Sequence, residues 1–172
     1  MSKFSVLILG NASASPTLRR SNTAQLINIE EQYYLMDCGE GTQIKLREHK
    51  VKLQRINHIF ISHLHGDHYL GLIGLLQTMH LMGRESELNI YCPGNIKEVI
   101  DVHLKASESQ LRYLIKYNKV NHKESELVYE NDKIEVRTIP LKHKIACSGY
   151  LFKEKPKPRR INPKAIKAYN VP

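Results

Sequence analysis

The sequence predicts an α/β fold of layered type, on three observations. Apolar runs of strand length recur along the chain, such as FSVLIL (4–9), HIFIS (58–62) and ELNIYC (87–92). Stretches with helical periodicity lie between them. Several later runs come as short neighbours, as hairpin strands do. At 172 residues, 41% hydrophobic and 25% charged, the chain is long enough for one domain with a core and is not disordered in composition.

Taken in order, FSVLIL reads as a buried strand and NASASPTLRRSNTA as a Ser/Pro/Asn loop. AQLINI (24–29) and YYLMDC (33–38) form a hairpin around a short EEQ turn. Gly39 and Gly41 break the second strand, and TQIKLREH (42–49) starts a helix. HIFIS is nearly all apolar, as in a central strand covered on both faces. Residues 67–82 read as one helix and 87–92 as a strand. In NIKEVIDVHLKAS (95–107), Ile96, Val99, Ile100 and Leu104 fall on one helical stripe. RYLIKY, ELVYE, KIEVRTIPL and GYLFKE follow as short strands, with no internal repeat.

The chain opens on a charged start and a strand-length apolar run, which is not a signal-peptide pattern. Its most apolar stretch, Tyr69 to Met82, is too short to span a bilayer and carries a His and a Gln. A cytoplasmic, membrane-free protein is expected. Cys38, Cys92 and Cys147 are odd in number and widely spaced, so reduced thiols are expected. The formal charge is +9, and it is unevenly spread: residues 153–172 hold seven basic residues against one acidic, so six of the nine surplus charges. A concentrated excess of that kind suits a polyanionic partner.

The most specific pattern is His63-x-His65-x-Asp67-His68, within ISHLHGDH. Asp67 alone would be an ordinary helix N-cap, and a single His before a helix an ordinary polar residue. Four such residues in six positions point to metal binding. Two histidines two apart at a strand end face the same way. Asp67 and His68, at the next helix start, face a second position, which suits two zinc ions about 3.5–4 Å apart. Imidazole and carboxylate donors without thiolate suit an open catalytic site.

This motif after a hydrophobic strand resembles the signature of the metallo-β-lactamase superfamily. FSVLILGNASASPT, YYLMDCGEGTQIKL, IFISHLHGDHYLGLIGLL and IPLKHKIACSGYLFKEK narrow the resemblance to the ribonuclease Z family of tRNA 3′-processing endonucleases. The resemblance implies an αββα sandwich, of which residues 1–152 supply the N-terminal half. It implies that His63, His65 and His143 hold a first zinc, and that Asp67 and His68 belong to a second. It gives Asp67 a further role as proton acceptor and Asp37 a supporting role behind an imidazole or the local turn. His49, His58, His80, His103 and His122 match no ligand position. The family's bridging aspartate and last histidine match nothing here, so the chain is expected to be a fragment that is inactive alone.

The same resemblance places the start of a tRNA-binding arm at residues 153–172, with Lys153, Lys155, Lys157, Arg159 and Arg160. A partial match to the family's loop near the RNA 3′ end offers Arg19 and Arg20. The implied activity is zinc-dependent removal of the 3′ trailer from precursor tRNA by a homodimer with two zinc ions per complete subunit. Two alternatives stand beside it: a hydrolase of small phosphodiesters or thioesters, and a non-catalytic metal- or RNA-binding fragment.

Overall fold

A tight turn at Glu30–Glu31, both with positive φ, joins β2 (Ala24–Ile29) to β3 (Gln32–Met36) in the computed structural model, which describes residues 4–156. Left-handed geometry at both turn residues matches the twist of paired strands. β1 (Phe4–Gly10) adds antiparallel to β2. Beyond β3 the pairing becomes parallel, through β4 (Ile56–Phe60), β5 (Leu88–Cys92) and β6 (Ile115–Lys119), giving a six-stranded sheet in sequence order. Helical crossovers make the parallel half possible: α1 (Thr42–Glu48), the short α2 (Gly66–Tyr69), α3 (Gly71–Leu81) and α4 (Ile96–Ala106). β7 (Leu127–Glu130), β8 (Ile134–Pro140) and β9 (Ser148–Glu154) form a separate antiparallel sheet.

Alternation along the central strand explains the layering. Ile59 enters the helix-side core with Leu35, Leu72, Leu75 and Ile90, while Phe60 enters the core between the sheets with Tyr34, Tyr91 and Val136. Both faces of β4 are therefore covered, as its apolar run predicted. Phe60 stacks on Tyr91 at 4.5 Å and meets Phe152 edge-on at 5.1 Å, tying β4 and β5 to β9. On β1 the same face is open: Phe4, Val6 and Ile8 are about half exposed beside buried Ile27 and Ile29.

Three elements differ from the sequence reading. β4 starts two residues earlier and stops at Phe60, so His63 and His65 follow the strand instead of ending it. The 67–82 helix is two helices meeting at Leu70, because the strand end after β3 plugs into it: Gly71 N–H donates to Cys38 O at 3.0 Å, and Cys38 N–H donates to His68 O at 2.7 Å. RYLIKY pairs only from Ile115, since Tyr113 turns into the helix layer and donates its hydroxyl to Leu76 O at 2.9 Å. Among the described residues, no helix is long and apolar enough to cross a membrane.

Candidate metal centre

The candidate site lies beyond the carboxyl ends of the parallel strands β3 and β4, where open α/β sheets bind their ligands. Asp37 follows β3 with φ +56, a left-handed conformation that aspartate tolerates better than most residues. Its N–H still donates to Phe60 O at 2.8 Å. The turned side chain is buried, 2% exposed, and receives the extension of β4: Oδ1 accepts Ser62 N–H at 2.8 Å and Oδ2 lies 3.1 Å from Ser62 Oγ. The second sheet braces the same segment. Tyr150 Oη donates to Ile61 O at 3.0 Å, and Ser148 N–H donates to Ser62 O at 3.0 Å.

On that support three imidazoles converge. His63 Nε2 is 3.1 Å from His65 Nδ1, which is 3.1 Å from His143 Nε2. The three ring nitrogens lie within 4.8 Å of one another. His63 is buried; His65 and His143 are exposed. Burial, then the neighbouring imidazoles of His68, His143 and His65, push the His63 pKa down to about 4, so its ring is neutral near pH 7. Three imidazole nitrogens brought to one point, with a side open to solvent, fit a zinc position that keeps room for a further ligand.

Asp67 and His68 sit together on α2, with His68 Nε2 3.6 Å from Asp67 Oδ2. The His68 ring centroid is 4.1 Å from that of His63, so the pair adjoins the three-histidine group. His68 Nδ1 lies 2.8 Å from Asp37 Oδ2. Burial alone would lower the His68 pKa, but its hydrogen bond to Asp37 and the charges of Asp37 and Asp67 raise it above the ordinary value. Burial opposes ionisation of Asp67, yet the Ala14 N–H, 2.7 Å from Oδ2, and the His68 ring hold its pKa below the ordinary range. Thiolates play no part: burial pushes the Cys38 thiol up to about 12 and that of Cys92 to about 11.

The remaining candidates are placed as follows. Arg19 and Arg20 are exposed on the loop whose Ala14 touches Asp67, and they line a polar cleft of about 300 Å³ with Lys45, Glu48 and His49 of α1. Lys153 lies inside β9 and pairs with Glu135 at 3.0 Å; Lys155, just past it, pairs with Glu130 at 2.5 Å. Lys157, Arg159 and Arg160 lie outside the described residues. His58 is stacked among Tyr34, Tyr91 and Tyr129, and His80 Nδ1 accepts Arg112 N–H. Among the described residues, neither these nor His49, His103 or His122 joins a metal-ligating group. Two contributors carry no signal in the sequence. Ser62 reads as filler between strand and motif, and the Ala14 amide reads as loop; each meets a carboxylate far along the chain, Asp37 for Ser62 and Asp67 for Ala14.

Comparison with known proteins shows what the chain is similar to. The family described as Anti-Pycsar protein Apyc1 matches residues 4–156. Ribonuclease Z of Bacteroides thetaiotaomicron is 43% identical over all 172 residues, which cover 54% of that protein. Ribonuclease Z of Porphyromonas gingivalis is 39% identical over the same span, 57% of its length. The chain thus spans about half the length of the curated relatives it matches. The crystal structure of human tRNase Z, short form, superposes with a TM-score of 0.80 at 30% identity, covering 87% of this chain and 64% of that one. A diphosphatase of the PhnP family, 18% identical, shares the fold with a TM-score of 0.66 over 87% of this chain and 62% of that one. With the motif, the layered sheets and the converging histidines, these matches carry one conclusion: the chain has the metallo-β-lactamase fold, is similar to ribonuclease Z along its whole length, and belongs to the family described as Anti-Pycsar protein Apyc1.

Proposed function

We propose that the protein carrying this chain is a zinc-dependent endoribonuclease that removes the 3′ trailer from precursor tRNA. The observation that carries the reading is the 43% identity to ribonuclease Z across every residue of the chain. His63, His65 and His143 would hold one zinc ion, and Asp67 and His68 would contribute to a second. Bound zinc supplies electrophilic stabilisation of a phosphodiester and acidifies water. The chain's own groups do the rest. Asp37 and Ser62 orient the imidazoles. Asp67, kept ionised by the Ala14 amide, accepts a proton. Hydrolysis breaks the bond from phosphorus to the 3′ oxygen of the tRNA, leaving a 3′-hydroxyl there and a 5′-phosphate on the trailer. Arg19 and Arg20 are offered to the RNA backbone beside the site. Lys157, Arg159 and Arg160 are offered as the start of an arm that tracks phosphates at a distance, with Lys153 and Lys155 at its root in and just past β9. A cytoplasmic homodimer, with two zinc ions per complete subunit, completes the proposal.

The test is cleavage of a precursor tRNA bearing a 3′ trailer by the full-length protein. The expected result is a tRNA ending in a 3′-hydroxyl, lost on chelation and restored by zinc. Hydrolysis of a small chromogenic phosphodiester with no cleavage of the precursor would replace the proposal with a small-molecule phosphodiesterase.

A further inference from the structure

Ser62 stands where both candidate metal positions can be set by one hydroxyl. Its Oγ lies 3.1 Å from Asp37 Oδ2, 3.0 Å from His63 Nδ1 and 3.1 Å from His68 Nδ1. His68 Nδ1 lies 2.8 Å from Asp37 Oδ2. The residue is buried, so water does not compete for these contacts.

Counting protons determines who donates to whom. An aspartate carboxylate accepts only, and a serine hydroxyl has one proton and two lone pairs. Asp37 accepts from Ser62 N–H at Oδ1, and its Oδ2 faces the hydroxyl and His68. If the hydroxyl gave its proton to either imidazole, its lone pairs would face the carboxylate at 3.1 Å with no proton between them. The Ser62 O–H therefore donates to Asp37 Oδ2, and the hydroxyl accepts from His63 Nδ1–H. His68 Nδ1–H donates to the same carboxylate. Both imidazoles then carry a proton on Nδ1, which leaves Nε2 as the nitrogen offered to a metal. Nε2 of His63 faces the three-histidine point, and that of His68 faces Asp67.

We propose that Ser62 is a positioning residue, which with Asp37 presets the Nε2-ligating tautomer of His63 and His68 and so couples the loading of the two metal positions. The inference rests on the metal centre of the proposed function but not on its RNA substrate. A hydrogen-bonded partner on the far ring nitrogen fixes tautomer and ring orientation, and its loss typically lowers metal affinity by about 10–100-fold.

The experiment uses the full-length protein in two parts. In the metal-free wild type, long-range nitrogen–proton NMR of the imidazoles should show Nδ1–H tautomers for His63 and His68. An Nε2–H tautomer at His63 overturns the proposal outright, whatever the variants do. Chelator-competition titration with zinc alone then compares Ser62→Ala with Ser62→Thr. The expected result is affinity weakened about 10–100-fold at both positions in Ser62→Ala and recovered in Ser62→Thr, which keeps the hydroxyl. Loss at one position only, wild-type affinity in Ser62→Ala, or equal loss in both variants overturns it. If the tautomers and affinities come out as expected but precursor tRNA is not cut, the substrate reading fails and the positioning role stands.

Discussion

The partly buried imidazole of His58 helps tie the stability of this protein to pH. His58 lies among the rings of Tyr34, Tyr91 and Tyr129, with the Tyr129 centroid 4.1 Å away. Burial, then the Arg84 charge, push its pKa down to about 4, with Glu87 opposing. An unfolded histidine titrates near 6.5, so between those values the unfolded chain binds more protons than the folded one. Stability is full above about pH 6.5 and falls as pH drops toward 4, by up to about 3 kcal/mol. His58→Phe keeps a ring in the stack and removes the proton uptake. Urea unfolding of chelator-treated protein from pH 4.5 to 7.5 should show a shallower pH slope in the variant; an unchanged slope would assign the effect elsewhere. In the sequence His58 matched no ligand position. The aromatic rings that bury it come from β3, β5 and β7, so its environment is invisible to any local window.

At the level of elements, the break between α2 and α3 is where strand end and helix are joined. A Cβ on Gly71 would stand 1.9 Å from Gly39 O, a backbone atom that cannot swing aside. Gly71→Ala should therefore destabilise the protein by about 1–3 kcal/mol, as overpacking does. It should also displace the Asp37–Gly39 turn from His68 and reduce zinc occupancy at the Asp67–His68 position. At Gly74 the added Cβ meets only the end of the Gln43 side chain. Gly74→Ala should stay within about 1 kcal/mol of the wild type, because the gain in helix propensity offsets a small adjustment. Urea midpoints and zinc stoichiometry on both variants check the pair; equal behaviour would mean that the Gly39–Gly71 approach does not matter. The sequence could show that 67–82 is helical, and the chain is helical on both sides of Leu70. It could not show the interruption, because a helix is read from its own residues and this one is broken by the Cys38 backbone.

Across the whole molecule the three-histidine group bridges two sheets. His63 and His65 follow β4 of the larger sheet, while His143 lies between β8 and β9 of the smaller one. A metal held by all three binds the folded arrangement and not the separated sheets, so it stabilises by mass action, by about 4 kcal/mol at a free concentration 1,000-fold above Kd. Chelation should lower the thermal midpoint, zinc should restore it, and His143→Ala should lose most of that response. A midpoint indifferent to chelator and to zinc would count against a metal shared between the sheets. The inter-sheet bonds from Tyr150 and Ser148 to the Ile61–Ser62 carbonyls hold the bridge from behind.

By itself the sequence determined the order and type of most elements and singled out the compact part of the candidate site. Apolar strands and amphipathic helices are patterns of neighbours, and His63-x-His65-x-Asp67-His68 is compact enough to be seen in one window. The family resemblance singled out His143 and Asp37. Only the tertiary structure decided how far His143 reaches, since its ring nitrogen meets His65 across 78 residues. The hydrogen bonds that Ser62 makes, the grip of the Ala14 amide on Asp67 and the split of the 67–82 helix were likewise decided there. The physical reason is that each depends on at least one chain-distant partner. The backbone and hydroxyl hydrogen bonds among them can be made by almost any residue type, so they leave no mark in composition or spacing.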